Sequence, residues 1–340
     1  MIIDLRSDTV TIPSPEMKVA MFNAKVGDDV FEDDESVNNL ESLGASIFSK
    51  EASLFFPSGT MTNQIAIKLN SNAPGEIICD ELSHVYKYEG GGIAFNSGLA
   101  TKLLKGDNGR LTASQIEVAI NPDDVHFPET QLVSLENTCN KGGGTIYELD
   151  EIKKIRTLCN DKKLKLHLDG ARIFNAIVEA DYSAKDIGVE FDTISVCLSK
   201  GLGAPVGSLL LGTKTAIKKA RRIRKLFGGG MRQAGYMAAA GIYALENNIE
   251  RLTEDHQRAK QLGNALENLS YVKRVWPVYT NIVVFEIVDE IKHTDIIDKL
   301  VEKNVKSVAF GKQQIRLVTH LNFTDEMLTK AIKILNAIRS

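Results

Sequence analysis

A lysine and an aspartate that follow separate apolar segments are the residues of this chain that most directly indicate chemistry. Lys200 comes shortly after an apolar run that ends at Leu198, and Asp169 stands 31 residues upstream, in the segment 167–172. A lysine amine can form a Schiff base with pyridoxal phosphate (PLP), and a carboxylate that keeps the pyridine nitrogen protonated makes this cofactor an electron sink. Lys200 and Asp169 together therefore predict a PLP site.

A phosphate-binding segment is predicted at Ser58, Gly59 and Thr60, which follow an apolar strand and open a helical pattern. Free backbone N–H groups and the helix dipole favour an anion at such a terminus. Taken alone, these residues fit an ordinary helix N-cap equally well. We favour the phosphate site because Asp169 and Lys200 also follow predicted strands, and ligands of open α/β sheets bind at the carboxyl ends of strands.

Three further side chains are candidates for contacts with cofactor or substrate. His84 follows a predicted strand and could stack on a pyridine ring, although a lone histidine is often a structural residue. Arg172 is either a surface ion-pair partner or a donor to the phenolic oxygen of the cofactor or to Ser7. Arg316 is the single arginine of an apolar strand-like stretch, which predicts either a buried ion pair or a clamp for a substrate carboxylate.

The basic run at residues 214–225 carries seven positive residues and leads into a glycine-rich turn that ends at Arg232. Most of the run is typical of a solvated helix face. Arg232 is either another solvated residue or a guanidinium that binds a phosphate or carboxylate across a subunit boundary. Nucleic-acid binding is the weaker interpretation, since the run lacks interleaved aromatic residues and the chain has a formal net charge of -3.

Length and composition set the class of protein. A chain of 340 residues with 43 % hydrophobic and 25 % charged residues is typical of a globular protein of roughly two domains. The charge balance argues against nucleic acid or a membrane surface as partner, and we expect a cytoplasmic protein that binds small molecules. We expect reduced thiols and no metal site, because no Cys-x-x-Cys pair occurs among the four cysteines, Cys79, Cys139, Cys159 and Cys197.

Apolar strand-like runs separated by segments with helical spacing predict an α/β fold with a mostly parallel sheet. Strands are predicted at residues 52–56, 76–79, 131–135, 163–168, 193–198 and 208–211. Helices are predicted after Thr60 and from Tyr147 to Asn160, and a long helical stretch runs past Ala234 toward Leu269.

Strands at 281–287 and 314–318 indicate a smaller C-terminal unit. We place an N-terminal arm at the active site in residues 1–15, a large PLP-binding domain at 16–247 and a small domain at 248–340.

Several motifs in order along the chain resemble those of the low-specificity L-threonine aldolase family. They are Asp-Leu-Arg-Ser-Asp-Thr-Val-Thr (4–11), Gly-Asp-Asp-Val-Phe (27–31), Pro-Ser-Gly-Thr-Met-Thr-Asn (57–63), His84 with Tyr88 and Glu89, Glu-Asn-Thr (136–138), His-Leu-Asp-Gly-Ala-Arg (167–172) and Ser-Lys-Gly-Leu-Gly-Ala-Pro-Val-Gly (199–207). The resemblance implies PLP fold type I, the PLP-dependent transferase-like fold of aspartate aminotransferase, with a large domain around a mostly parallel central sheet and a smaller C-terminal α+β domain. It also implies a homotetramer built of dimers, with the site shared between subunits.

The resemblance assigns a role to each candidate residue. It implies Schiff-base formation by Lys200, pyridinium pairing by Asp169, ring stacking by His84, phosphate contacts by Gly59 and Thr60, a cofactor contact by Arg172, substrate carboxylate contacts by Ser7 and Arg316, and approach from a neighbouring subunit by Lys225 and Arg232. The family usually reads Glu-Asn-Thr-His where this chain has Cys139 in the last position. That histidine is thought to touch the substrate β-hydroxyl, so the identity of the general base and the preference between threonine and allo-threonine stay open, with Cys139 as a candidate substrate contact.

The function implied is PLP-dependent retro-aldol cleavage of L-threonine, L-allo-threonine and other L-3-hydroxy amino acids to glycine and an aldehyde, a step of threonine catabolism. His84, or water that it holds, would remove the β-hydroxyl proton. A related β-eliminating amino-acid lyase would instead release ammonia and a keto acid, and a non-catalytic PLP-binding protein would turn nothing over.

Overall fold

Thirteen strands and fourteen α-helices make up residues 1–338, which are the residues that the computed structural model describes; the last two residues of the predicted small domain lie outside them. The strands are β1 (Ile3–Asp4), β2 (Ala52–Phe56), β3 (Gly75–Asp80), β4 (Leu99–Leu104), β5 (Thr130–Glu136), β6 (Lys165–Gly170), β7 (Thr193–Cys197), β8 (Ser208–Gly212), β9 (Val272–Val275), β10 (Ile282–Ile287), β11 (Val305–Lys306), β12 (Val308–Gly311) and β13 (Gln314–Val318). The helices are α1 (Pro15–Phe22), α2 (Glu35–Ile47), α3 (Gly59–Leu69), α4 (His84–Lys87), α5 (Gly92–Ser97), α6 (Ala113–Ala119), α7 (Leu149–Asp161), α8 (Ile173–Ile177), α9 (Ala184–Glu190), α10 (Lys214–Leu226), α11 (Gly235–Asn247), α12 (Leu252–Leu266), α13 (His293–Glu302) and α14 (Asp325–Ala337).

A seven-stranded sheet in the order β2-β8-β7-β6-β5-β3-β4 forms the centre of the larger unit. Only β8 runs antiparallel to its neighbours, while β3 to β7 pair in parallel. Strands β3, β7 and β8 are buried along their whole length, as expected for a sheet covered on both faces. The carboxyl ends of β3, β5, β6 and β7 therefore lie along one edge, and the predicted α/β fold with a mostly parallel sheet is confirmed.

The six predicted strands of this sheet are all present, within two residues at either end. Strand β4 was missed, because this edge strand is mostly only half-buried or exposed and carries Thr101 and Lys102 among its leucines. The predicted long helical stretch is two helices, α11 and α12, with a break between them. Asn248 and Arg251 in this break donate to the carbonyls of Leu202 and Gly201. The break thus brings polar side chains to the segment that follows Lys200.

The smaller unit is built on an antiparallel sheet in the order β12-β13-β10-β9, with helices α12, α13 and α14 around its core. Strand β1 pairs in parallel with β11, so the chain begins on this unit before it enters the larger one. The two units have separate apolar cores, in agreement with the predicted large and small domains. The domain limits at residues 15 and 247 stay predictions.

The basic helix α10 is only partly a solvated face. Five of its cations, Lys214, Lys218, Lys219, Arg222 and Lys225, are exposed. Arg224 is buried and donates to Asp29 Oδ2 at 2.6 Å and to the carbonyl of Phe55 at 2.6 Å. One arginine of the run therefore anchors the helix to β2 and to the loop that contains Asp29.

All four cysteines are buried and free. No helix within residues 1–338 has the length and apolar character needed to cross a membrane.

Candidate active site

The carboxyl edge of the large sheet brings together most of the residues predicted to do chemistry. Asp169 lies in β6, Lys200 follows β7, and His84 follows β3 at the start of α4. Ligand atoms of His84, Glu89 and Asp169 all lie within 4.8 Å of one another. The predicted convergence of separate motifs on one rim is confirmed for these elements.

Asp169 is a buried carboxylate that only neutral donors hold. Its Oδ2 accepts a hydrogen bond from Asn63 Nδ2 at 2.8 Å, and its Oδ1 accepts one from the backbone N–H of Ala171 at 3.1 Å. His167 lies behind Asn63, with Nε2 at 3.3 Å from Asn63 Oδ1. No arginine, lysine or histidine of residues 1–338 forms an ion pair with Asp169. A buried anion with no cationic partner fits a protonated ring nitrogen.

His84 is oriented by a buried carboxylate. Its Nδ1 lies 2.9 Å from Glu89 Oε1, and Glu89 also accepts hydrogen bonds from Asn63 and Gln64. The imidazole is 32 % exposed, so one edge of the ring remains open to the site. Burial opposes a charge on His84, but the hydrogen bond that it donates to Glu89 and the charge of Asp169 outweigh this effect and raise the pKa of the imidazole.

The start of α3 has the form expected for an anion site. Ser58 is the N-cap and accepts from the backbone N–H of Met61 at 3.2 Å, so the N-cap interpretation is confirmed. The first backbone N–H groups of a helix, here those of Gly59 and Thr60, have no partner within the helix. A Cβ on Gly59 would lie 2.5 Å from Cys197 Sγ, so a larger residue does not fit there. These features are compatible with phosphate contacts at Gly59 and Thr60, which stay a prediction.

Arg172 forms a buried bidentate ion pair with Asp8, a residue that the sequence analysis did not select. Arg172 Nε lies 2.8 Å from Asp8 Oδ2 and Nη2 lies 2.7 Å from Oδ1. The expected alternatives of a surface ion pair or a bond to Ser7 are therefore wrong, because the guanidinium is turned inward. Burial alone would raise the pKa of Asp8, but the Arg172 charge holds it well below its usual range. Asn281 of the small unit also donates to Asp8, at 3.2 Å.

Arg316 points from β13 toward the N-terminal segment and the loop after β5. Its Nη1 donates to Asn140 Oδ1 at 2.7 Å and its Nη2 donates to the carbonyl of Arg6 at 2.9 Å. Within residues 1–338 it has no carboxylate partner, so the predicted alternative of a buried ion pair is wrong. Burial, together with the charge of Arg172, lowers the pKa of Arg316 to about 10. This arginine can gain an anionic partner, as a carboxylate clamp requires.

Ser7 lies next to the Arg6 carbonyl that Arg316 holds. Its hydroxyl accepts from the backbone N–H and the hydroxyl of Thr9, at 3.2 and 2.9 Å. Ser7 therefore lies near the guanidinium, and its contact with a substrate stays a prediction.

The other predicted site residues lie away from the open part of this rim. Cys139 is fully buried, with its thiol against Gly109, and burial raises the pKa of that thiol well above its usual range. The structure therefore does not favour a direct substrate contact by Cys139. Arg232 donates to Asp28 at 2.8 Å, and Lys225 is exposed near the end of α10. Among residues 1–338 neither cation hydrogen-bonds to Asp169, and their predicted role requires a second subunit.

Glu136 is a buried carboxyl that the sequence analysis did not assign a role. Its Oε2 accepts from the backbone N–H of His84 at 2.7 Å, and its Oε1 accepts from the backbone N–H of Asn140 at 2.9 Å. It thereby joins the segment of His84 to the segment that holds Arg316. Burial, with the nearby charge of Asp169, raises the pKa of Glu136 to about 7.

Five residues that position this site were not selected from the sequence, namely Asp8, Asn63, Glu89, Glu136 and Asn140. Four of them belong to the motifs quoted above, and Asn140 follows one by two positions. Motif membership was a usable signal, but the partner of each residue could not be read from it.

Comparisons with known proteins identify enzymes whose sequences are similar to this chain. Residues 4–290 match the model of the β-eliminating lyase family. The chain is 42 % identical over 329 residues to a low-specificity L-threonine aldolase of Escherichia coli strain K12, with 96 % of each chain covered. It is 40 % identical to a probable low-specificity L-threonine aldolase 2 of Arabidopsis thaliana, covering 95 % of this chain and 93 % of that protein.

Two solved structures share the fold. A threonine aldolase of Leishmania major superposes with a TM-score of 0.85 at 22 % identity, with 98 % of each chain covered. A putative L-allo-threonine aldolase of Listeria monocytogenes superposes with a TM-score of 0.79 at 23 % identity, covering 98 % of this chain and 95 % of that one. At these identities the superpositions are evidence for the fold.

The raised pKa of Glu136 predicts a pH-dependent loss of stability in the cofactor-free protein. The folded protein keeps a proton on Glu136 at pH values where the unfolded chain has released it, so the stability is lost as pH rises from about 4.5 through about 7. Glu136→Gln removes this titration. We expect the free energy of unfolding of the variant, relative to wild type, to rise by roughly 3 kcal/mol between pH 4.5 and pH 8.

Urea unfolding at a series of pH values measures this difference. Glu326→Gln, at an exposed position of α14, is the matched control and should give a constant difference. A Glu136→Gln difference that does not change with pH would contradict the assignment of the proton to Glu136.

Proposed function

The chain belongs to the β-eliminating lyase family and, within it, to the low-specificity L-threonine aldolases, and on this basis we propose that it cleaves L-threonine, L-allo-threonine and other L-3-hydroxy amino acids to glycine and an aldehyde with PLP as cofactor. One observation supports this most strongly, namely three charged groups without ionic partners at one rim. Among residues 1–338, none of Asp169, Lys200 and Arg316 forms a direct ion pair. A cationic cofactor ring would pair with Asp169, and the carbonyl of the cofactor would bind covalently to Lys200. A substrate carboxylate would pair with Arg316.

The residues of the rim fit PLP. Lys200 would carry the cofactor, Asp169 would pair with its ring nitrogen, and the N-terminus of α3 at Gly59 and Thr60 would bind its phosphate. His84 would stack on the ring and Arg172 would lie at its phenolic edge. When bound, PLP supplies an electron sink for the bond between Cα and Cβ of the substrate.

Arg316, supported by Ser7, is proposed to bind the substrate carboxylate. Its guanidinium is already held by Asn140 and the Arg6 carbonyl, so little side-chain freedom is lost on binding. When the carboxylate is fixed, the amino acid can rotate about only a few bonds. The bond between Cα and Cβ can then be held in the orientation in which it is cleaved.

His84 is the best-placed base for the β-hydroxyl proton. Its Nδ1 faces Glu89, so in the neutral ring with the proton on Nδ1 the second nitrogen, Nε2, is free to accept a proton directly or through water. The raised pKa favours the protonated ring once the transfer has occurred. As the hydroxyl proton moves to Nε2, the bond between Cα and Cβ breaks and the aldehyde leaves. A proton then returns to Cα, and glycine is released.

A homotetramer built of dimers, located in the cytoplasm, is the proposed assembly. Large apolar side chains are exposed beside the two cations assigned to a neighbouring subunit. Leu226 follows Lys225 directly, and Phe31 lies in the loop that contacts Arg232. An apolar surface of this kind supports association, and free buried thiols are compatible with a reducing compartment.

Acetaldehyde release from L-threonine and L-allo-threonine by the PLP-loaded protein tests the proposed reaction. We expect both substrates to yield equal amounts of acetaldehyde and glycine, and the Lys200→Ala variant to yield none above background. Release of ammonia and a keto acid instead would identify a β-eliminating lyase. Absence of any turnover in a protein that binds PLP would indicate a non-catalytic PLP-binding protein.

Removal of the guanidinium tests the carboxylate clamp. A charge-assisted pair buried with the substrate is worth about 2 to 5 kcal/mol, so Arg316→Ala should lower kcat/KM for L-threonine about 30- to several thousand-fold. Arg274→Ala, at an exposed arginine in β9 of the same sheet, should change it little. Unchanged kinetics in Arg316→Ala would contradict the clamp.

Subunit mixing tests whether Arg232 serves a neighbouring site. Alone, Lys200→Ala should be inactive and Arg232→Ala should be weakly active. If the site is shared, a mixed dimer of the two variants contains one intact site, and an equal mixture should recover about a quarter of wild-type activity after subunit exchange. No recovery, despite exchange shown by mass-labelled subunits, would rule out the shared site.

A further inference from the structure

A second cation, Lys141, lies beside the position proposed for the substrate carboxylate. It stands in the loop after β5, one residue beyond Asn140, which holds Arg316. Its Nζ donates to the carbonyl of Phe310 in β12 and lies 3.7 Å from the centroid of the Phe310 ring. Lys141 therefore reaches from the large unit to the small unit at the edge of the site.

Lys141 and Arg316 share one aromatic ring and have no anion between them. The Arg316 Cζ lies 5.5 Å from the same Phe310 centroid. Among residues 1–338 neither cation forms an ion pair with a carboxylate. Burial lowers the pKa of Lys141, and the charges of Arg316 and Lys87 lower it further. Two partly desolvated cations held together in this way repel each other, which an anion bound between them would relieve.

The surroundings of Lys141 match the path of the substrate side chain. Lys87 ends α4, the helix that begins with His84. Lys141 thus lies beside Arg316, which would hold the α-carboxylate, and close enough to the helix of the proposed base for the charge of Lys87 to act on it. The substituent on Cβ must pass between these two points, because Cβ bears the hydroxyl that His84 deprotonates.

We propose that Lys141 is a specificity-determining residue that binds an anionic group on the Cβ substituent, so that the substrates include L-3-hydroxy amino acids with an acidic side chain. This inference rests on the proposed aldol cleavage. With 3-hydroxyaspartate the bond between Cα and Cβ breaks, the hydroxyl oxygen becomes the aldehyde oxygen of glyoxylate, the hydroxyl proton passes to His84, and Cα takes up a proton to give glycine. No oxidant or further reactant is needed.

The contact between Lys141 and the Phe310 carbonyl also joins the two units, and this structural role alone would involve no bound anion. A tie through the Phe310 carbonyl needs one N–H donor, whereas a lysine ammonium has three. The two roles predict different results. A tie affects all substrates equally, and an anion site affects acidic substrates alone.

Steady-state kinetics of the PLP-loaded protein on L-3-hydroxyaspartate and L-threonine distinguish the roles. Lys141→Met should lower kcat/KM for hydroxyaspartate about 10- to 100-fold, the value of a hydrogen bond to a charged group, with little effect on threonine. Lys141→Arg, which keeps the cation, should retain most of the hydroxyaspartate activity. Lys312→Met, at an exposed lysine near the same strand, is the matched control and should change neither.

Trp276 offers a readout that does not depend on turnover. It is the only tryptophan of the chain, and its ring packs edge-on against Phe310 with centroids 6.1 Å apart. Succinate, a dicarboxylate probe, should change the tryptophan fluorescence at about tenfold lower concentration than propionate does. The difference should vanish in Lys141→Met and persist in Lys141→Arg.

Each outcome decides a separate point. Equal losses on both substrates in Lys141→Met, or a wild type that cleaves threonine and not hydroxyaspartate, would overturn the assignment of Lys141 and leave the aldolase proposal standing. A wild type that cleaves no 3-hydroxy amino acid would overturn the aldolase proposal. In that case the fluorescence titration still tests the anion site, which equal affinities for succinate and propionate would refute.

Discussion

Arg172 and Asp8 form the buried ion pair on which the substrate side of the site depends. The pair fixes the N-terminal segment against the end of β6, and Asn281 extends the contact to the small unit. Removal of one partner of a buried pair typically costs about 3 to 5 kcal/mol, because the other charge is left uncompensated. The carbonyl of Arg6, two residues before Asp8, in turn holds Arg316. The position of Arg316 thus depends on an ion pair in which Arg316 takes no part.

A second network sets the charges on the cofactor side. Asn63 donates to both Asp169 and Glu89 through one amide nitrogen, and Glu89 orients His84. Neutral donors hold the buried carboxylate of Asp169 without neutralising it in a region of low dielectric. That charge raises the pKa of His84 and of Glu136 together. A cationic ring bound at Asp169 would offset the same negative charge. Cofactor binding and the proton affinities of His84 and Glu136 are therefore expected to be coupled.

The sequence was informative where one local pattern determines the outcome. Apolar runs gave the six central strands, and the shared carboxyl edge of parallel strands placed Asp169, Lys200 and His84 together. Strand β4 was not predicted because a partly exposed edge strand with polar residues resembles a loop in sequence. The break between α11 and α12 was not predicted because a short polar interruption resembles the polar face of a continuous helix. The ion pair of Arg172 joins residues 164 positions apart, and the bond from Arg316 to Asn140 spans 176. No local pattern encodes such pairings, since they arise only when the two units pack.

The replacement of histidine by Cys139 changes how the remaining groups must share the chemistry. A buried thiol with a raised pKa is neutral and turned toward Gly109, so it offers the β-hydroxyl no proton acceptor. His84, the imidazole beside Asp169, is then the proposed proton acceptor. With His84 as the proposed base and Lys141 as the proposed anion site, discrimination among substrates would depend on the charge of the substrate side chain more than on hydrogen bonds to the hydroxyl.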